Sequence, residues 1–200
     1  LGGTCLNYGC IPSKALLASA ELMHRIHNAG ALGVNVSGSV KADWSAIQKR
    51  KDKVLMKLRG GIKGLFGARN VTLYTGAATL DGPGKVVVTD AQGKADAFTA
   101  DNIILATGSV PARIPGWPTD PNIVCTSDEA LHWNELPKRL LIVGGGVIGC
   151  EFACMMHEYG VEVTIVELLD SLLPEMEPVL GAALKGVFTK RGMKIHTGVK

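Results

Sequence analysis

Apolar and polar positions divide the chain into three blocks with different periods. From Pro12 to Ala29, Leu16, Leu17, Ala20, Met23 and Ile26 recur at helical spacing, and Asn28 and Gly30 supply a stop. A second helical pattern runs from about Trp44 to Leu65, with Asp43 as its cap and glycines at 60, 61, 64 and 67 fraying its end. The middle block reads as short strands at Val71 to Tyr74, Lys85 to Thr89 and Ala97 to Thr99, split by Asp81-Gly82-Pro83-Gly84 and Gln92-Gly93. Ile103 to Ala106 is a continuous apolar run leading into Thr107-Gly108-Ser109, the pattern of a buried parallel strand. Pro111, Pro115, Gly116, Pro118 and Pro121 then mark a linker. Beyond it the pattern alternates as βαβ units: strand 139–143, helix from about 147 to 159, strand 161–166, helix from about 175 to 191, and strand 193–197.

Composition narrows the class. The chain has 200 residues, 46% of them hydrophobic, which is enough for a packed core, and its 25 glycines follow no repeat, so neither a collagen-like nor a disordered chain fits. The net charge of +3 is small. The one basic cluster, Lys49, Arg50, Lys51 and Lys53, has no interleaved aromatic residues and reads as a solvated helix face, so no nucleic-acid partner is expected. The apolar runs are too short to span a bilayer, and no membrane is expected either. The first residue is Leu1, inside a glycine-rich turn, and Lys200 falls just after a strand pattern, so the chain is expected to be an internal segment of a longer protein.

Two motifs carry chemistry. Arg139 to Val143 leads directly into Gly144-Gly145-Gly146-Val147-Ile148-Gly149, with glycines 144, 146 and 149 at the G-x-G-x-x-G positions. The first glycine permits a tight turn, the second lets a pyrophosphate approach the backbone, and the third lets the helix pack close to the strand. The helix that follows offers free N–H groups to phosphate. The next strand ends in Glu167, which can accept hydrogen bonds from both ribose hydroxyls and would repel a 2′-phosphate, favouring NAD over NADP. A glycine-rich turn with a surface glutamate is the plainer reading of the same residues.

The second motif is Cys5-Leu6-Asn7-Tyr8-Gly9-Cys10, followed by Ile11-Pro12-Ser13-Lys14. The two cysteines are close enough in sequence to meet across a turn, and a first-turn Pro12 puts Cys10 near a helix N-terminus, where a thiolate is stabilised. Dithiol–disulfide exchange needs that arrangement. Inert buried cysteines and a zinc site completed by His24 and His27 are the alternatives; no metal is expected, because four-way convergence from those positions is awkward. The remaining cysteines, Cys125, Cys150 and Cys154, read as packing residues, and His132, His157 and His196 as structural or exposed. An odd count of five cysteines without a signal peptide suits a reducing compartment.

The run from Gly2 to Leu17 closely resembles the redox-active segment of dihydrolipoamide dehydrogenases, and the likeness continues through Ala106 to Ser109, the proline-rich linker and Gly144 to Glu151. It marks the class I flavoprotein disulfide reductases; mercuric and glutathione-type reductases are similar there, and Ser13 and Glu167 favour the dihydrolipoamide enzymes. The resemblance implies an α/β fold of two Rossmann-like dinucleotide-binding domains, both incomplete, with a small antiparallel β element in the first. Residues 1–118 would be the FAD-binding domain, with the redox helix at 5–29, and residues 119–200 the NAD-binding domain. It implies that Cys5 exchanges with substrate, that Cys10 faces the flavin, and that Lys14 lies near the flavin and pairs with Glu151. A lysine in the first turn of a helix opposes its dipole, which itself hints at a non-structural reason for Lys14. Ala78, Thr107, Gly108 and Ser109 resemble FAD contacts; Gly144, Gly145, Gly146, Val147, Ile148, Gly149, Glu151 and Glu167 resemble the NAD site. Dihydrolipoamide on a lipoyl domain of a 2-oxo acid dehydrogenase or glycine cleavage complex is the implied substrate, with a homodimer in the cytoplasm or mitochondrial matrix. A first FAD motif before Leu1, and a second FAD stretch and an interface domain with a His–Glu base after Lys200, are implied as well, so this segment alone is expected to be inactive. A non-catalytic redox-sensing module is the reading from a different class. Tyr8 and Cys150 depart from the residues usual in the family at those places.

Overall fold

A computed structural model describes residues 1–118, 120 and 123–199. Pro121 of the expected linker, residue 119 where the second domain was expected to begin, and Lys200 lie outside the described residues. The chain forms two compact units, Leu1–Thr4 with Met56–Val110, and Cys5–Leu55 with Pro111–Lys200. The redox helix belongs to the same unit as the third block and packs on its helix 147–158.

The larger unit is built on a parallel sheet ordered β4 (Arg139–Val143), β5 (Glu162–Glu167) and β6 (Lys194–Thr197). Crossover helices α5 (Val147–Glu158) and α6 (Pro178–Lys190) join the strands in the expected βαβαβ order. The core lies on the sheet face that carries Leu140, Ile142, Val163, Ile165 and Ile195, where Phe152, Ala153, Met155, Met156 and Phe188 of the helices are buried. Leu141 and Val143 alternate to the other face and are exposed.

Two further helices close this core. α2 (Cys10–His27) begins two residues earlier than its apolar pattern indicates and stops at Asn28, before a short 3₁₀ turn at Ala29–Leu32. It packs on α5 through Leu16 and Ala20, both fully buried. α3 (Trp44–Ala68) starts where expected, with Asp43 Oδ1 accepting the Ala46 N–H at 2.9 Å, and its late glycines do not end it. Trp44 meets Tyr159 edge-on with ring centroids 5.3 Å apart, and its indole N–H donates to Trp133 O at 2.9 Å. Tyr159 Oη donates to Leu16 O at 2.6 Å, so one hydroxyl ties the end of α5 to the middle of α2.

The basic cluster is the expected solvated face except at one position: Lys49, Arg50 and Lys53 are exposed, with Arg50 Nη1 donating to Ala15 O at 2.8 Å, whereas Lys51 is 1% exposed. Nothing in the run of like charges reveals which turn of α3 faces the core.

In the smaller unit the antiparallel element is β1 (Ala77–Leu80), β2 (Lys85–Thr89) and β3 (Ala95–Thr99), joined in order. Two expected strands are not strands. Val71 to Tyr74 follows the end of α3, where Asn70 takes φ 54 and the Val71 N–H returns to Phe66 O, and it joins no ladder. Ile103 to Ala106 also lacks a ladder partner among the described residues, and Ile104 is 90% exposed. A parallel strand exists only beside a neighbour. Conversely Ala77–Leu80, of weak strand propensity, is held by its ladder to Val86–Thr89. Among the described residues no helix is long and apolar enough to cross a membrane.

Burial pushes the Tyr159 hydroxyl up to about 12. The folded protein therefore holds this proton more tightly than the unfolded chain, whose tyrosine ionises near 10. The stability it contributes is complete below pH ~10 and is lost as pH rises from ~10 towards about 12. Urea titrations across that range will show falling stability, and Tyr159→Phe will flatten the dependence while losing about 1 kcal/mol at neutral pH.

Candidate functional site

The glycine loop is shaped by contacts that exclude side chains. Gly144 continues the sheet, its N–H donating to Val166 O at 2.8 Å, and then turns at φ 107. A Cβ on Gly149 would lie 2.1 Å from Gly144 O, so the first turn of α5 can approach the loop only with glycine there. At Gly144 and Gly146 the equivalent space is open. Gly146 caps α5, and no side chain bonds the N-terminal amides. Open space above a turn, next to uncapped helix N–H groups, fits a pyrophosphate. Val147 and Ile148 follow in the first turn of α5, half-exposed or more.

Glu167 ends β5 beside this loop and is 7% exposed. Its Oε2 accepts the Gly145 N–H at 2.5 Å, and its Oε1 accepts the Leu169 N–H at 2.7 Å. The expected ribose-binding carboxylate is thus also a brace for the glycine loop. Each oxygen keeps lone-pair capacity for a further donor. Gly145 is closely packed, since a Cβ there would lie 2.6 Å from Leu172 Cδ2 and 3.2 Å from Glu167 Cβ, and its carbonyl accepts the Leu173 N–H at 2.8 Å. Leu173 adopts φ 51 to make that bond. This Leu172–Leu173 support had no signal in the sequence, since neither residue belongs to a motif.

At the other motif, α1 (Gly3–Tyr8) ends just before Gly9, and Cys10 is the first residue of α2. The structure brings Cys5 and Cys10 together as free, exposed thiols. A hydrogen bond to the Cys10 side chain is the main cause that raises the Cys5 thiol above its ordinary range, with loss of water and the charge of Cys10 adding to it. Pro12 is buried in the first turn. Lys14 is the fifth residue of α2, two residues further in than the sequence implied, so the dipole opposes it less. Its Nζ donates to Glu151 Oε1 on α5, joining the two motifs within one unit. Both partners keep access to solvent, so the pair serves to place the ammonium more than to stabilise the fold.

His24 does not turn towards the cysteines. Its Nδ1 lies 3.0 Å from Glu158 Oε1, which also takes Arg191 Nη1 at 3.0 Å. Among the described residues no group of three or more His, Cys, Asp and Glu side chains is arranged to hold a metal ion. In the smaller unit, Gly108 turns at φ 84, and the Ser109 N–H donates to Thr4 Oγ1 at 3.1 Å. Thr107 precedes that turn, and Ala78 lies in β1, an edge strand of the antiparallel sheet.

Cys150 is buried and donates weakly to Gly145 O at 3.3 Å. Burial, aided by the Glu167 charge, pushes its thiol up to about 11. Burial likewise raises Cys125 and Cys154. At pH 8 the ionised fraction of Cys150 is roughly a hundredfold below that of an ordinary thiol of pKa near 9. Timed alkylation read by peptide mass will therefore modify Cys150 last. Gly149→Ala will cost about 2–4 kcal/mol in denaturant unfolding, since backbone rather than a flexible side chain must give way.

Two curated relatives are dihydrolipoyl dehydrogenases: one from Bacillus subtilis (strain 168), 40% identical over 208 residues, and one from Chlorobaculum tepidum, 44% identical over 200. The alignments cover 100% of this chain and 44% and 42% of those proteins, so the chain spans less than half the length of the relatives it matches. The crystal structure of LpdA from Mycobacterium tuberculosis superposes with a TM-score of 0.88 at 27% identity, over 99% of this chain and 43% of that one. With residues 1–200 all matched, the chain belongs to the pyridine nucleotide-disulphide oxidoreductase family.

Proposed function

We propose that this chain is the redox-active and NAD-binding part of a dihydrolipoyl dehydrogenase, which oxidises dihydrolipoamide and reduces NAD⁺. The observation that carries it is the adjacency of Cys5 and Cys10 at the start of α2, a helix that packs on the helix of the glycine loop. The two curated relatives bear that name. FAD and NAD are the cofactors, and FAD supplies the two-electron relay between the dithiol and the nicotinamide.

With Cys5 and Cys10 joined as a disulfide, one substrate thiolate attacks Cys5 Sγ, and the S–S bond breaks with Cys10 leaving as a thiolate. The second substrate thiol then attacks the substrate sulfur of the mixed disulfide, releasing Cys5 as a thiol and lipoamide as product. Cys5, exposed as Cys10 is, takes the exchanging role that the resemblance implies. Cys10 then holds the electron pair next to Lys14. Glu151 keeps the Lys14 ammonium oriented from α5. The amides at Gly146 to Ile148 and the carboxylate of Glu167 hold the NAD pyrophosphate and ribose, with Gly145 tying the loop to Glu167. Ala78, Thr107, Gly108 and Ser109 contact FAD in the 1–118 portion, and residues 119–200 serve as the NAD-binding portion. In the full-length protein, a homodimer in the cytoplasm acts on lipoyl domains of a 2-oxo acid dehydrogenase or glycine cleavage complex.

The test separates the two half-reactions in the full-length flavin-bound protein under anaerobic conditions. NADH will reduce the flavin in both wild type and Cys10→Ser, whereas dihydrolipoamide will reduce it only in wild type, with a loss of at least about a thousandfold in the variant. Absence of bound flavin, or a Cys10→Ser protein that dihydrolipoamide reduces at the wild-type rate, would sink the assignment.

A further inference from the structure

The loop between the two cysteines is anchored from outside. Leu6 is buried, but Tyr8, at the end of α1, is 51% exposed. Its ring meets His132 edge-on, with centroids 6.3 Å apart and planes at 73°. His132 follows α4 (Ser127–Ala130), a single turn whose start is fixed by reciprocal bonds between Thr126 and Glu129. Lys51 comes up from α3 beneath it, almost wholly buried, with Nζ 2.8 Å from Leu131 O and 3.2 Å from His132 Nδ1, and Asp52 Oδ1 at 3.3 Å. An ammonium has only donors, so His132 Nδ1 is the acceptor in this contact.

We propose that Lys51 and His132 are positioning residues for the redox pair: buried Lys51 fixes the His132 ring, the ring holds Tyr8, and Tyr8 keeps Cys5 at the distance from Cys10 that disulfide closure needs. This rests on the reading of Cys5 and Cys10 as an exchanging pair, and adds three residues beyond the two cysteines. An anchored α1 leaves the dithiol form little freedom to lose on closure, which raises the effective concentration of one thiol at the other. Releasing the anchor loosens the dithiol and not the disulfide, so the couple becomes easier to reduce. A threefold fall in effective concentration moves a two-electron couple by about 14 mV towards less negative potential.

The experiment uses the full-length flavin-bound protein equilibrated in glutathione buffers, where oxidised glutathione accepts the two electrons and two protons released as the disulfide forms. Rapid alkylation and peptide mass give the fraction of Cys5–Cys10 disulfide. Tyr8→Val and His132→Asn, the latter keeping an acceptor for Lys51, will each shift the midpoint by about threefold in the glutathione ratio. The double variant will shift no further than either single one, and Tyr8→Phe, which keeps the ring, will titrate with wild type. Alkylation of Cys150 in the same digests reports any variant that has unfolded. Single variants that stay folded yet titrate with wild type, or shifts that add in full, would overturn the proposal. A wild-type protein that forms no Cys5–Cys10 disulfide at any ratio would instead overturn the exchange reading, and this inference with it.

Discussion

Helix α2 lies against helix α5, and the chemistry of the larger unit hangs on that contact. Leu16 and Ala20 on one side, and Ala153 and Met156 on the other, are buried to the last few per cent. Small residues on both helices let the backbones approach, and the Tyr159 hydroxyl reaches the Leu16 carbonyl across the gap. Each helix carries part of one motif at its amino end, Cys10 as the first residue of α2 and the glycine loop leading into α5. Packing two helices therefore fixes two sites at once, and Lys14 with Glu151 spans the interval between them. A core substitution at Ala20 or Ala153 would change the spacing of the sites as well as the stability.

The same contact explains which features were legible in the sequence. The β4–loop–α5–β5 order could be read directly because each part has its own local cause: an apolar strand, glycines where backbone meets backbone, a helical apolar stripe. The position of Glu167 followed from the strand that ends in it. What Glu167 does to the loop did not, because its two backbone donors, Gly145 and Leu169, are defined only by the turn geometry. Lys51 was misread for a related reason. Its neighbours in sequence are charged, and its burial comes from Leu131 and His132, about eighty residues away.

Strands were the least legible elements. Ile103 to Ala106 has the composition of a central strand and is not one among the described residues, whereas Ala77–Leu80 lacks that composition and is one. Strand formation is a property of pairs, so the ladder to Val86–Thr89 decides the second case whatever its own residues prefer. Helices α2 and α3 were located well because their hydrogen bonds are internal. Their starts shifted by no more than the capping residues allow.

Glu167 joins two properties that are usually treated as separate. As the end of β5 it sets the electrostatic character of the place proposed for the adenosine ribose, and as a bidentate acceptor it holds the glycine loop to the sheet. A change of coenzyme preference at this position is consequently not a local edit. Replacing the carboxylate with a cation to welcome a 2′-phosphate would leave the Gly145 and Leu169 amides without their acceptor. A change of preference towards NADP would have to rebuild the loop before, or together with, the charge reversal, and that requirement makes the proposed NAD preference hard to leave by single steps.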